Sequence, residues 1–273
     1  MIVIGLILFG LIFGSFVNAL VWRMHEQEDK KSKVKKKDLS ISHGRSMCVK
    51  CHHKLGFLDL IPVFSWLWLR GKCRYCNKEI SKQYPLVELT TAALFGLSYY
   101  FWPVHVQGLQ WAVLAVWLMS LVVLMALLVY DLKWMILPNK LVAIVSGLAF
   151  VYLILQVADG GTSTLINAFF GIIVTAGVFY AIFQISKGTW IGGGDVKLAV
   201  SLGIFAGSLL HGVLLLFLAS LLGSLISAPL MFYGKTKLKT RIPFGPFLIA
   251  ATVIVVLFGQ DMIEGYERLV FIG

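Results

Sequence analysis

The sequence predicts an all-α polytopic membrane protein of about eight transmembrane helices, with a small cytoplasmic loop domain built around four cysteines. Three observations predict it. Of 273 residues, 59% are hydrophobic and 14% are charged, and the mean hydropathy is +0.86; a soluble domain of this size cannot cover its surface with so few charges. The apolar segments are long and uniform where barrel strands would alternate, so helices must satisfy the backbone in lipid. Finally, the four cysteines stand in two pairs inside one polar stretch.

The first segment, 2–22, carries no charge, and basic residues follow it. A secretory signal has the opposite order, so this reads as an uncleaved first helix with its N-terminus outside. Seven further apolar segments run over 85–102, 110–130, 140–157, 165–185, 196–209, 212–233 and 243–258. The sixth is short for the roughly 20 residues a span needs, so its boundary with the seventh is the least defined. The predicted organisation is a first helix over 1–22, a cytoplasmic loop over 23–84 and a transmembrane core over 85–273.

The formal net charge of +11 is localised: 15 of the 24 Lys and Arg lie between Arg23 and Lys82, against six Asp and Glu. No nucleic-acid motif accompanies it, so nucleic acid is excluded in favour of cytoplasmic-loop bias and attraction to anionic lipid headgroups. With the N-terminus outside, the inside loops become 23–84, 131–139, 186–195 and 234–241, and they hold the basic runs. The outside loops near 103–109 and 158–164 contain no Lys or Arg. The tract from Lys30 to Lys37 reads as low-complexity chain, disordered or on the membrane surface, without a catalytic role. No internal repeat is evident.

Cys48-Val49-Lys50-Cys51 and Cys73-Arg74-Tyr75-Cys76 are CxxC pairs separated by 21 residues. Each such pair turns two sulfurs toward one centre, and two pairs complete a tetrahedral zinc site of structural type. A reducing cytoplasm argues against disulfides; a redox dithiol and unliganded thiols are the other readings. His52 and His53 are spare donors beside a full set. Between the pairs, 57–69 is apolar, interrupted by Pro62 and too short to span; Trp66 and Trp68 suggest the membrane interface.

Asp131 follows the third apolar segment, and Asp195 closes the run Gly192-Gly193-Gly194-Asp195 before the sixth. Intramembrane carboxylates are costly, and glycines allow close backbone approach. The topology places both at the cytoplasmic face, the precondition for two carboxylates sharing a proton to activate water. Taken singly, Asp131 also fits an interfacial helix end and Asp195 an N-cap. Glu88, near the start of the second segment, fits capping as well as function, and His211 fits an interfacial turn.

Together these motifs resemble the type IV prepilin peptidase family (leader peptidase/N-methyltransferase), within the GxGD aspartyl proteases. The resemblance runs through nearly the whole chain. It rests on Gly14-Ser15-Phe16-Val17-Asn18 followed by Arg23, on Gly44-Arg45-Ser46 before Cys48, and on Leu60-Ile61-Pro62. It continues through Arg70-Gly71-Lys72-Cys73-Arg74, Tyr84-Pro85-Leu86-Val87-Glu88, and Asp131 with Leu137-Pro138-Asn139. Gly192-Gly193-Gly194-Asp195-Val196-Lys197-Leu198 and Pro243-Phe244-Gly245-Pro246-Phe247 complete it. Two departures are visible, Met24-His25 and the basic insertion over 26–40.

The resemblance implies an inner-membrane aspartyl endopeptidase that cuts the basic leader from prepilins or pseudopilins at the cytoplasmic face. It implies Asp131 and Asp195 as the catalytic pair, with Gly192 and Gly194 in the supporting loop. It also implies methylation of the new amine from S-adenosylmethionine, with Gly71 and Lys72 as the carried-over positions; their plainer reading is turn geometry and a solvated charge. No Gly-rich dinucleotide fingerprint is present. Two other classes compete: an ion- or proton-coupled transporter, which would place carboxylates near the midplane, and a zinc-knuckle scaffold needing no carboxylate chemistry. The oligomeric state is not legible.

Overall fold

The computed structural model describes residues 1–29, 34, 35, 37–41, 44–232 and 242–271. The basic runs Lys30 to Lys33 and Lys235 to Arg241 lie outside these residues. Among the described residues there are nine α-helices and no strand: α1 (Ile2–Glu28), α2 (Phe64–Trp68), α3 (Gln83–Tyr100), α4 (Gln110–Trp134), α5 (Asn139–Gly160), α6 (Thr162–Ser186), α7 (Gly193–Ala206), α8 (Leu209–Phe232) and α9 (Gly245–Phe271). Each of the eight predicted apolar segments corresponds to one helix, α1 or one of α3 to α9. Of these, α1, α4, α5, α6, α8 and α9 are long and apolar enough to cross a bilayer on their own.

The differences are at the ends. The helix α9 continues to Phe271, beyond the predicted residue 258, because polar residues that end an apolar run do not end a helix. Gln260 and Arg268 both bond Glu264 one turn away, a spacing that supports helix in water. The uncertain boundary between the sixth and seventh segments falls at Gly207, whose left-handed φ of 74° closes α7. Ser208 then receives the His211 backbone N–H on its hydroxyl at 3.3 Å, so His211 belongs to the capped start of α8.

The chain forms two compact units, 1–100 and 101–273. In the first, α1 and α3 touch backbone to backbone. A Cβ on Gly10 would lie 2.6 Å from Ala92 Cα, and one on Gly14 would lie 2.6 Å from Glu88 Cα. Two glycines four residues apart are what such a close helix crossing requires in lipid. Asn18 locks the register, donating to the Tyr84 carbonyl at 3.1 Å and accepting from Gln83 at 3.2 Å. The buried Arg23 guanidinium gathers the following loop by donating to the carbonyls of Ser40, Ile41 and Gly44.

In the second unit α4 is the most buried of the candidate spans. The short α7 is held by small residues and hydroxyls. A Cβ on Gly203 would meet Ile172 Cα at 2.8 Å, Thr175 donates to the Ala199 carbonyl at 3.0 Å, and the Ser146 and Ser201 hydroxyls are 2.8 Å apart. At its far end Phe205 packs edge-on against Trp117 and Tyr152, each at 5.3 Å. A helix of about 21 Å, at 1.5 Å per residue, is shorter than the hydrocarbon core, so its N-terminus ends among its neighbours.

Candidate active site

Asp131 lies in the last turn of α4 and is 5% exposed. Met135 turns the chain out in a left-handed conformation, and Pro138 precedes α5. Asp195 is the third residue of α7, which begins at Gly193 with Gly192 as its N-cap. Asp195 is therefore not the N-cap itself. Its carboxylate reaches back to accept the Gly192 backbone N–H, as an acidic N3 residue does in a capping box. Gly194, expected in the supporting loop, is the second residue of the helix.

The two aspartates are linked through common neighbours: Leu137 lies against Gly194, next to Asp195, and near Gly245, whose N–H donates to Asp131. Their surroundings are built from four helix ends. The Gly245 backbone N–H, at the start of α9, donates to the Asp131 carboxylate. A Cβ on Gly245 would lie 2.6 Å from Asp131 Oδ2, so only glycine allows this approach. Leu137 fills the space between the arms: a Cβ on Gly194 would be 3.0 Å from Leu137 Cβ, and one on Gly245 3.6 Å from Leu137 Cδ2. Lys197 donates to Asn139 Oδ1 at 2.9 Å, tying the start of α7 to the start of α5.

Gly245 and Leu137 are the residues whose roles sequence reasoning missed. Both stand in motifs that carry the resemblance, yet no local pattern says that they touch an aspartate or its neighbour.

The four cysteines belong to the first unit. Their sulfurs all lie within 4.8 Å of one another, with Cys48 and Cys76 at 4.0 Å. Tetrahedral zinc with bonds of about 2.3 Å separates its sulfurs by about 3.8 Å, so the cluster fits a metal with little movement. The two knuckles are the same turn twice. Cys48 and Cys73 each accept on the carbonyl from the residue four positions on, His52 or Asn77, which is left-handed in both. Isolated antiparallel bridges, Met47 with Lys54 and Lys72 with Glu79, close them. At Cys51 the His53 backbone N–H stabilises the thiolate, but desolvation and the neighbouring Cys48 and Cys76 sulfurs outweigh it and push the thiol up to about 11.

Gly71 is buried at φ 70°, and a Cβ there would meet Trp66 Cζ2 at 3.0 Å. Lys72 is exposed and pairs through its backbone with Glu79. Glu88, the other polar residue of interest, is neither cap nor exposed: it is buried and accepts the Val63 N–H at 2.7 Å.

Comparison with known proteins follows the same division. The chain matches the Bacterial Peptidase A24 N-terminal domain over residues 8–102 and the Type IV leader peptidase family over residues 118–228. It is 34% identical to a prepilin leader peptidase/N-methyltransferase of Aeromonas hydrophila, covering 95% of this chain and 91% of the relative. It is 33% identical to one from Vibrio cholerae, covering 90% and 92%. A type 4 prepilin-like proteins leader peptide-processing enzyme of Escherichia coli is 36% identical, covering 88% and 87%. No solved structure matches. A multi-pass helical chain, two carboxylates gathered by four helix ends and near full-length similarity agree: this chain belongs to the type IV leader peptidase family.

Proposed function

We propose that this chain is the membrane-embedded endopeptidase that removes the leader of type IV prepilins or pseudopilins, with Asp131 and Asp195 as its catalytic pair. The observation that supports this most is the convergence, around Leu137, of the helix ends that carry the two carboxylates, each held by a glycine N–H.

The pair shares one proton, since two adjacent carboxylates do not both ionise readily. The ionised member takes a proton from water, whose oxygen attacks the scissile carbonyl. The protonated member donates to that carbonyl oxygen, and the amine leaves with the proton first taken from water. The titration belongs to the pair. Gly245 and Gly192 orient the two carboxylates, and Leu137 keeps the arms apart. The substrate's cut site, between a basic leader and an apolar helix, matches carboxylates at helix ends on the cytoplasmic face of the bacterial inner membrane.

The cysteines would hold a structural zinc ion, which supplies folding energy to the loop and no chemistry. Methylation of the new amine from S-adenosylmethionine rests on the relatives' names, with Gly71 and Lys72 as the positions to test. The buried, left-handed Gly71 gives its side-chain-free backbone a structural reason beside that role.

Asp131→Asn and Asp195→Asn tested separately on a prepilin in membranes are expected to lower cleavage by about 10³-fold or more. Mass spectrometry of the product reads both activities at once. Full cleavage by either variant removes the catalytic pair, and an unmethylated mature end from the unaltered enzyme removes the second activity.

A further inference from the structure

Between the two knuckles the first unit carries an apolar face that its described residues leave exposed. A 3-10 turn over Phe57–Leu60 and the short helix α2 hold it. Phe57 is 83% exposed, Phe64 69% and Trp68 85%, with Leu58 and Leu67 open beside them. The second tryptophan, Trp66, turns inward: its indole donates to the Ile80 carbonyl at 3.1 Å, and Gly71 packs on its ring. The excursion therefore sorts its side chains into an inner set that builds the loop and an outer set left exposed among the described residues.

Its height is fixed by a tether. Val63, at φ 63°, donates its N–H to the buried Glu88 carboxylate at 2.7 Å. Glu88 is the sixth residue of α3, about 7.5 Å along the helix axis from its start. On the same turn of α3, Leu86 and Leu89 are exposed on the side away from α1, where an apolar membrane-associated helix meets lipid. A strained backbone persists only where surroundings hold it, and here a buried carboxylate holds it. Lys54, Arg70 and Lys72, which flank this segment in sequence, are exposed cations.

We propose that residues 57–69 form a foot that inserts Phe57, Phe64, Leu67 and Trp68 into the interface of an anionic phospholipid bilayer, at a depth set by the Glu88 tether. Aromatic and leucine side chains enter the acyl boundary while neighbouring cations meet the headgroups, as in interfacial helices. The foot is continuous with the lipid-facing side of α3, and through Trp66 it carries the turn of Gly71 and Lys72. The membrane contact does not depend on which chemistry the site performs.

The test uses the full chain in vesicles of phosphatidylethanolamine and phosphatidylglycerol, with a prepilin added. Benzoylphenylalanine, itself large and apolar, replaces Trp68, Phe57 or, as a control on the exposed rim of the second knuckle, Lys78. After irradiation, mass spectrometry is expected to show phospholipid adducts at positions 68 and 57 and few at 78. In the Trp68-labelled chain, Glu88→Ala is expected to lower lipid adducts severalfold while purified chains keep their four-cysteine metal content. Adducts to the prepilin in place of lipid make this face a substrate dock and overturn the proposal. So do equal lipid adducts at all three positions, or none at 57 and 68. Unchanged labelling in Glu88→Ala overturns the tether.

Discussion

Asp131 and Asp195 are placed on opposite kinds of helix end. Asp195 sits in the first turn of α7, where the helix dipole favours a carboxylate. Asp131 sits in the last turn of α4, where the carbonyl ends oppose one. The start of α9 offsets that: the Gly245 N–H reaches Asp131 and brings the positive end of a second helix to it. A methyl group at Gly245 would fall 2.6 Å from Asp131 Oδ2, so Gly245→Ala must displace either the carboxylate or α9. The expected outcome is a fall in kcat of about 10²-fold, the cost of a small misplacement at a reacting group, with KM near its original value. Gly177→Ala, where a Cβ meets nothing within 4 Å, is the control and leaves both constants unchanged. Steady-state cleavage of a prepilin in detergent checks both; an active Gly245→Ala enzyme with intact kcat would separate α9 from the carboxylate. Asp195 was legible in the sequence as an expensive charge after glycines. Gly245 was not, because a glycine's value here lies in a contact made far along the chain.

At the scale of elements, the four-cysteine loop repeats one turn twice, although the sequence showed no repeat beyond the cysteines. Val49-Lys50 and Arg74-Tyr75 share no side chain, and His52 and Asn77 differ. What recurs is backbone: the same hydrogen bond to each first cysteine, the same left-handed residue and the same closing bridge. A metal held by four cysteines would dictate this geometry and leave the side chains between the ligands free, which is why spacing was informative and identity was not. Among its described residues the loop has no strand, and its order is expected to rest on the cluster. Removing the metal with a strong chelator is expected to release a single zinc ion per chain and open the segment around both knuckles to limited proteolysis, while α4 to α9 stay protected. Cys73→Ser should reproduce the effect without chelator. Metal analysis beside a protease time course checks it, and a loop equally resistant without metal would assign its order to Arg23 and Glu88 alone.

For the whole molecule, hydropathy located every long helix among the described residues, and the distribution of Lys and Arg implies a single orientation. That orientation is testable by labelling. A cysteine introduced at His105 or Thr162 is expected to react with a membrane-impermeant maleimide added to intact cells. One introduced at Thr189 should react only after lysis, by the positive-inside bias of its loop. Labelling of position 189 from outside would invert the topology and put the aspartates on the wrong side for a cytoplasmic leader.

The sequence by itself determined the helical membrane class, the long helices among the described residues, the four cysteines that cluster and the two carboxylates to suspect. These are carried by composition, periodic apolarity and spacing, all local along the chain. Only the tertiary structure decided that four helix ends converge on Asp131 and Asp195 and that Leu137 stands between their arms. It alone decided that Glu88 tethers a loop instead of capping a helix. In each case the cause is a contact between distant segments, made possible by a glycine or a buried carboxylate, and its energy appears only when the helices pack.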